Sequence, residues 1–329
     1  MPGRGTTDPQ RRNPVSAWAA LAGSGLGILL ALLLLLAPSA NAQAVAAACP
    51  PPQPAAGTSS PEDRGMLWRI SRGGHSSWLF GTLHVGRPGW ARFGPKTAAA
   101  LRASDTLALE LDPTDPAVQE ALADAGRWLE LPLPLQQRLA QAYERACIAQ
   151  AALAALHPVL QASTLTVLEA RWLGLDPQHS IELVLARQAR AAGRKVVSLE
   201  SVALQKETLV PDDTQEALKI VEQSLGQLED QSARRVLGTL AEVWERGDLA
   251  RLEDYAAWCE CTQTDEEKAF MRRLNDGRNP GLAGRVAELH GQGRRLFVAV
   301  GALHMTGEKS LPRLLTQAGF KVERIAFRP

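Results

Sequence analysis

Twice in this chain an apolar run enters a Gly-x-Leu-His tetrapeptide. Leu79 to Gly86 reads LFGTLHVG, and Phe297 to Met305 reads FVAVGALHM. Runs this short and this continuously apolar fit strands buried on both faces, as in parallel sheets. A histidine delivered at the carboxyl end of such a strand stands on the rim where open α/β folds bind their ligands. The same device near both ends of the folded part suggests one sheet built from two related halves, and a site shared by the two histidines would need that sheet to bring those ends together. Gly81 and Gly301, three residues ahead of each histidine, suit a close backbone approach or a sharp bend where strand meets site.

The text around these motifs supports that reading. Met66 to Arg72 (MLWRISR), a Gly73-Gly74 turn and Ser77 to Leu83 (SWLFGTL) predict a β-hairpin whose second strand delivers His84. A helix over Pro95 to Ala103 and a strand in Thr106 to Pro113 (TLALELDP) complete a βαβ unit. Near the end, strand Arg295 to Val300, helix Leu311 to Ala318 and strand Lys321 to Ala326 repeat the pattern. Between them the sequence is helical, over about 116–193 and 214–290, with Leu and Ala at i, i+3 and i+4. One further strand, Arg194 to Glu200, interrupts the helices, and the last of them is expected over Leu282 to His290. The predicted fold class is α/β: a mixed central sheet built from two related βαβ-like halves, with a large helical insertion, over residues 65–329.

The first 42 residues stand apart. Arg4, Arg11 and Arg12 precede an apolar run from Ala17 to Ala37, and Ala40-Asn41-Ala42 fits an A-x-A cleavage site. This is the pattern of a secretory signal peptide, so the product is expected in the periplasm or outside the cell. Left uncleaved, the segment would serve as a membrane anchor. Residues 43–64, rich in Pro, Ala and Ser, read as a flexible leader. Removing the signal segment takes three Arg and one Asp from a chain of net charge +1, leaving about −1. That balance gives no electrostatic reason to expect a nucleic-acid partner. Export permits disulfides among Cys49, Cys147, Cys259 and Cys261. The C-x-C spacing is too short for most zinc sites, so a structural role is expected for the cysteines; a bridge such as Cys147 to one of that pair is one option, and the connectivity is open.

Four ionisable residues share one structural address. His84, Glu110, Glu200 and His304 each follow a short apolar strand. Two imidazoles and two carboxylates gathered on one rim would suit a divalent metal such as zinc, manganese or cobalt. Taken singly, Glu110 and Glu200 read equally well as helix caps or surface acids. His75, His157, His179 and His290 read as solvated. HExxH, GxSxG and Walker signatures are missing, and Ser76 and Ser77 have no triad-like surroundings, so metal-activated water is a better candidate than a serine nucleophile.

Several segments together resemble the TraB/GumN family, which is related to the Tiki metalloproteases. They are LWRISRGGHSSWLFGTLHVG, LALELD, GLDPQHSIELVLARQARAAGRKVVSLES, the pair Arg278-Asn279 and FVAVGALHMTGEKSLPRLLTQAGFKVERI. The resemblance runs from Leu67 to the C-terminus and implies a metal-dependent hydrolase acting on a peptide or protein substrate. It implies His84 and His304 as metal ligands, Glu110 as ligand or general base, and Glu200 as an additional or supporting ligand. Arg278 would stabilise an oxyanion or an acidic substrate group, and Asn279 would help position it. Asn279 reads equally as an N-cap ahead of Pro280. The alternative function is a non-catalytic envelope protein holding a metal, haem or peptide in the same crevice.

Overall fold

The computed structural model of the chain describes residues 49–53, 60–123, 129–259, 261–262 and 264–327. The expected signal peptide lies outside the described residues, as does much of the leader. Six strands form one mixed sheet: β1 (Met66–Arg72), β2 (His75–Thr82), β3 (Thr106–Leu109), β4 (Lys195–Ser198), β5 (Leu296–Gly301) and β6 (Lys321–Ile325). Their spatial order is β4-β3-β5-β2-β1-β6. α1 (Pro95–Ala103) joins β2 to β3. α2 (Pro116–Ala123), α3 (Leu133–Ala146), α4 (Pro158–Leu168) and α5 (Ile181–Ala191) then lead to β4. After β4 come α6 (Val202–Leu209), α7 (Thr214–Glu229), α8 (Ser232–Arg246), α9 (Leu249–Glu253), α10 (Tyr255–Trp258), α11 (Asp265–Leu274) and α12 (Asn279–Gly291). α13 (Leu311–Gln317) joins β5 to β6.

The mixed α/β architecture is the one expected. β4, β3, β5 and β2 are neighbours and run parallel, whereas β1 runs against both β2 and β6. All four parallel strands therefore end on the same edge. β3 and β5 are buried along their whole length, and β2 is buried from Leu79 onward. Strands covered on both faces need apolar residues at every position, which is why they show no alternation in sequence. The two halves are related but not equivalent. β2 reaches β3 by crossing β5, while β5 reaches β6 by crossing β2 and also β1. The crossovers run in opposite directions, so right-handed connections place α1 and α13 on opposite faces.

In the helical insertion, α4 is buried at every position from Pro158 to Leu168 and packs against α7 and α3. Its polar side chains are satisfied internally: Ser163, Thr164 and Thr166 each donate to the carbonyl four residues back, and Gln161 donates to Leu156 O. His157, expected in solvent, is buried because it caps this helix: its Nδ1 accepts the Val159 N–H at 3.3 Å. His290 is buried too. Its ring stacks on His75 at 3.8 Å, and its two nitrogens meet Ser77 Oγ and Arg72 O, each at 2.9 Å. The Ser77–His290 contact looks like a nucleophile and base, yet it is structural. Ser77 is fully buried, its Oγ also accepts the Leu296 N–H at 2.9 Å, and the second ring nitrogen meets a carbonyl rather than a carboxylate.

The structure gives the cysteine pairing that the sequence left open. Cys49 bridges Cys147, and Cys259 bridges Cys261. The Cα atoms lie 5.6 Å and 5.1 Å apart, inside the span a disulfide bridges without backbone movement. The C-x-C pair follows α10 and closes on itself, which leaves Cys147, at the end of α3, for Cys49. Part of the leader is held against the domain. The carboxylate of Asp63 accepts the Lys96 and Thr97 N–H groups at 3.0 and 2.8 Å, at the start of α1.

One loop contact decides where α5 begins. Gly86 and Asp176 exchange backbone hydrogen bonds at 3.1 and 2.8 Å, and the Ile181 N–H reaches Leu83 O at 3.0 Å. These bonds lash the segment after β2 to the amino end of α5. A Cβ on Gly86 would stand 2.1 Å from the His179 carbonyl oxygen, so only glycine fits there. Gly86→Ala should lower stability by about 1–3 kcal/mol through this overpacking, read as a lower urea midpoint at unchanged slope.

Candidate functional site

The parallel register makes the rim. Thr82 pairs with Gly301 and Leu109 with Ala299, so the residues that follow β2, β5 and β3 emerge side by side. Beyond β3 the pairing with β4 continues, with Glu200 N–H donating to Glu110 O at 3.0 Å. The structure thus brings together His84, Glu110, Glu200 and His304, and adds Arg278 and Asn279 from the start of α12. Gly81 serves a close approach: a Cβ there would lie 3.2 Å from the Cα of Ala302, in the turn that carries His304. Gly301 contributes its amide, which donates to Glu110 Oε1 at 2.7 Å.

Arg278 is the hub of the acids. Its Nη2 donates to one oxygen of Glu110 and one of Glu200, and its Nε donates to the other oxygen of Glu200 at 3.0 Å. Gln205 on α6 donates to Glu200 Oε2 at 3.1 Å. As placed, both oxygens of Glu200 are therefore engaged. Burial raises the affinity of Glu110 for a proton, but Arg278, His304, His84 and the Gly301 amide outweigh it and hold the pKa at about 2. The two carboxylates hold the guanidinium protonated more firmly than usual against the burial that opposes its charge.

The two histidines are prepared in the same manner. His304 is fully buried, and its Nδ1 lies 2.5 Å from Asn279 Oδ1. Asn279 Nδ2 donates to Lys309 O at 2.8 Å, so the amide oxygen must face the ring, and Nδ1 carries the proton. Asn279 is inside α12 rather than capping it, because the helix begins three residues earlier than expected. His84 Nδ1 lies 3.0 Å from Glu182 Oε1, close enough for an ion pair but bent out of hydrogen-bond alignment. Thr82 Oγ1 donates to the same carboxylate oxygen. Among the described residues, Nε2 of both histidines and Glu182 Oε2 have no hydrogen-bond partner, although all are buried. His304 Nε2 stands 3.8 Å from Glu110 Oε1.

Electrostatics separate the rings. Burial, then Arg278 and His84, push the pKa of His304 down to about 3 against the pull of Glu110. Burial also disfavours a charge on His84, but Glu182 and Glu110 prevail and raise its pKa. Counted formally, Glu110, Glu182 and Glu200 face one guanidinium, so with neutral rings the cluster carries a net charge of −2. Buried charge left uncompensated is costly.

Among the described residues no three His, Cys, Asp or Glu side chains are grouped closely enough to hold an ion as they stand. The donor chemistry nevertheless fits a divalent cation. Two of the atoms such an ion would take, Nε2 of His84 and of His304, are without partners, whereas both oxygens of Glu110 already accept hydrogen bonds; the ion's charge would offset that of the cluster. Metal-binding histidines characteristically hold their second nitrogen against a carboxylate or carbonyl, as Glu182 and Asn279 do here.

Sequence reasoning did not single out Glu182, Thr82 or Gln205. Glu182 lies in the first turn of α5, where an acid is ordinary for helix-dipole reasons, so nothing in its local pattern marks it. Its burial is the distinguishing signal, and that depends on the Gly86–Asp176 contact.

No curated protein and no solved structure matches the chain. The model of the TraB/PrgY/gumN family matches residues 66–324, which run from the start of β1 into β6 and include every residue of the site. The chain therefore belongs to the TraB/PrgY/gumN family.

Proposed function

We propose that this is an exported, metal-dependent hydrolase whose centre is built on His84, His304 and Glu110. The observation that carries the reading is the matched state of the two imidazoles. Each has Nδ1 against a side-chain acceptor and a buried Nε2 without a partner, beside a cluster of net negative charge. His84 Nε2, His304 Nε2 and Glu110 would hold the ion, with manganese, cobalt and zinc as the ions this donor set suits. When bound, such an ion supplies a Lewis acid and a water of lowered pKa.

The chain's own residues divide the remaining work. A carboxylate with a pKa of about 2 is a weak proton acceptor near neutrality, so Glu110 serves better as a ligand than as a general base. Arg278 keeps Glu110 ionised and is itself anchored by Glu200, which accordingly supports the centre from behind the ligands. Asn279 and Glu182 fix the two rings. Burial of all these groups excludes water, which strengthens every charge interaction at the centre. A peptide or protein substrate follows from the resemblance to the Tiki metalloproteases, and a periplasmic location follows from the signal-like N-terminus.

Titration of manganese, cobalt and zinc into chelator-treated protein tests the centre. His84→Ala and His304→Ala should abolish tight uptake, and Glu182→Gln should weaken it by about 10–100-fold while leaving one ion per chain. Unchanged affinity in both alanine variants would remove the proposed centre. Uptake without cleavage of a peptide library would turn the proposal into a metal-holding envelope protein.

The metal-free protein should lose stability in acid in two stages. His304 binds its proton more weakly folded, at about 3, than at its ordinary 6.5, so the unfolded chain takes up the proton first and stability falls from about pH 6.5 downward. Glu110, depressed from 4.5 to about 2, removes a further share as pH falls through that window. His84 opposes both: its raised pKa adds stability on the acid side and withdraws it as pH rises through the folded value. Urea midpoints at pH 7 and pH 5 check the sign, and His304→Asn should flatten the difference.

A further inference from the structure

A second feature lies at the opposite end of the sheet from the proposed centre. Between α1 and α5, above the first residues of β3 and β5, is a cavity of about 360 Å³. Its apolar wall is formed by Phe93, Leu101, Leu107, Leu185 and Phe297. Leu107 and Phe297 are buried strand residues that floor it, and Leu185 comes from α5. The volume is at the small end of the range for small-molecule sites, roughly 300–1,000 Å³.

The charges around it have one sign. Arg92, Arg102 and Arg194 line the cavity, and no carboxylate does. Other arginines of this chain are matched to acids, such as Arg234 to Glu169 at 2.8 Å and Arg138 to Glu229 at 2.7 Å. Arg102 has no such partner among the described residues, and Arg194 spends one nitrogen on a backbone carbonyl, that of Leu101. The acid nearest in sequence, Asp105, is engaged by Arg295 at 3.2 Å and stays outside the lining. Like charges gathered at the mouth of a low-dielectric cleft repel one another and focus a positive potential into it. An anionic group at the rim relieves that repulsion, and an apolar tail behind it covers the wall.

We infer that this cavity binds a carboxylate carrying a short apolar tail. The ligand is anchored by the guanidiniums of Arg102 and Arg194, with its tail against Leu107 and Phe297. This site is independent of the proposed metal centre. Glu182 of that centre is on the first turn of α5, whereas Gln188, Ala189 and Ala192 at the other end of the same helix line the cavity.

Calorimetric titration of the full chain with octanoate tests it, with octanol and acetate as probes lacking the charge or the tail, and anionic phospholipid vesicles as the membrane arm. Octanoate should bind one per chain. Arg102→Glu, an exposed change that leaves the fold intact by far-UV circular dichroism, should weaken it at least tenfold. Ala192→Phe, which fills the cavity from its rim, should weaken it as much. Octanol and acetate should each bind at least tenfold more weakly than octanoate. The inference is overturned if octanoate fails to bind the wild type, binds both variants as tightly as the wild type, or is matched by acetate or octanol. Binding to vesicles without binding of free octanoate overturns it as well and assigns the arginines to a membrane surface.

Discussion

The parallel pairing of β2 with β5 holds the molecule together. It joins the first strands of the domain to the last, and it sets Thr82 opposite Gly301. A slip of one residue would turn every side chain of a strand to the other face, and both strands are buried, so the register is strongly specified. Without it His84 and His304 would not share a rim. β3 adds Glu110 to the same edge only because β5 lies between it and β2. Such a contact spans almost the whole domain, and long-range pairings of this kind are formed late and slowly in folding. The long helical insertion is a loop closed by that pairing, which is why the rest of the fold depends on two short strands.

The buried charges of the rim are a cost that the rest of the fold sustains. Glu110, Glu182, Glu200 and Arg278 are all shielded from solvent, and removing one partner from such a network typically destabilises by about 3–5 kcal/mol. Apolar residues of like volume would serve stability as well or better. Arrangements that forgo that gain are characteristic of functional sites, where shifted pKa values and unpartnered polar atoms accumulate. The opposite displacements of His84 and His304, one ring pulled toward the charged form and one held neutral, are of that kind.

Much of this was legible in the sequence because the relevant signals are local. Strands covered on both faces announce themselves as unbroken apolar runs, and the recurrence of Gly-x-Leu-His marked the two histidines where either alone would have been ordinary. Glu110 and Glu200 were readable as acids that end strands. Arg278 and Asn279 came from the resemblance, not from their pattern. The start of α12 is not legible because Asn279-Pro280 looks like a cap and is instead the first turn. Glu182 was hidden because its role comes from a backbone contact between two loops, and no periodicity encodes that. The burial of His157 and His290, and the choice of Cys49 as the partner of Cys147, likewise depend on how distant segments meet.

The Cys49–Cys147 bridge gives the leader an unusual status. Because it fastens the chain ahead of β1 to the far end of α3, a protease that nicks the backbone between Cys49 and Gly65 severs the peptide without releasing anything. The short N-terminal piece stays covalently attached in an oxidising compartment and is shed only on reduction. On a non-reducing gel the nicked protein would migrate as a single species, and only added thiol would reveal the cut.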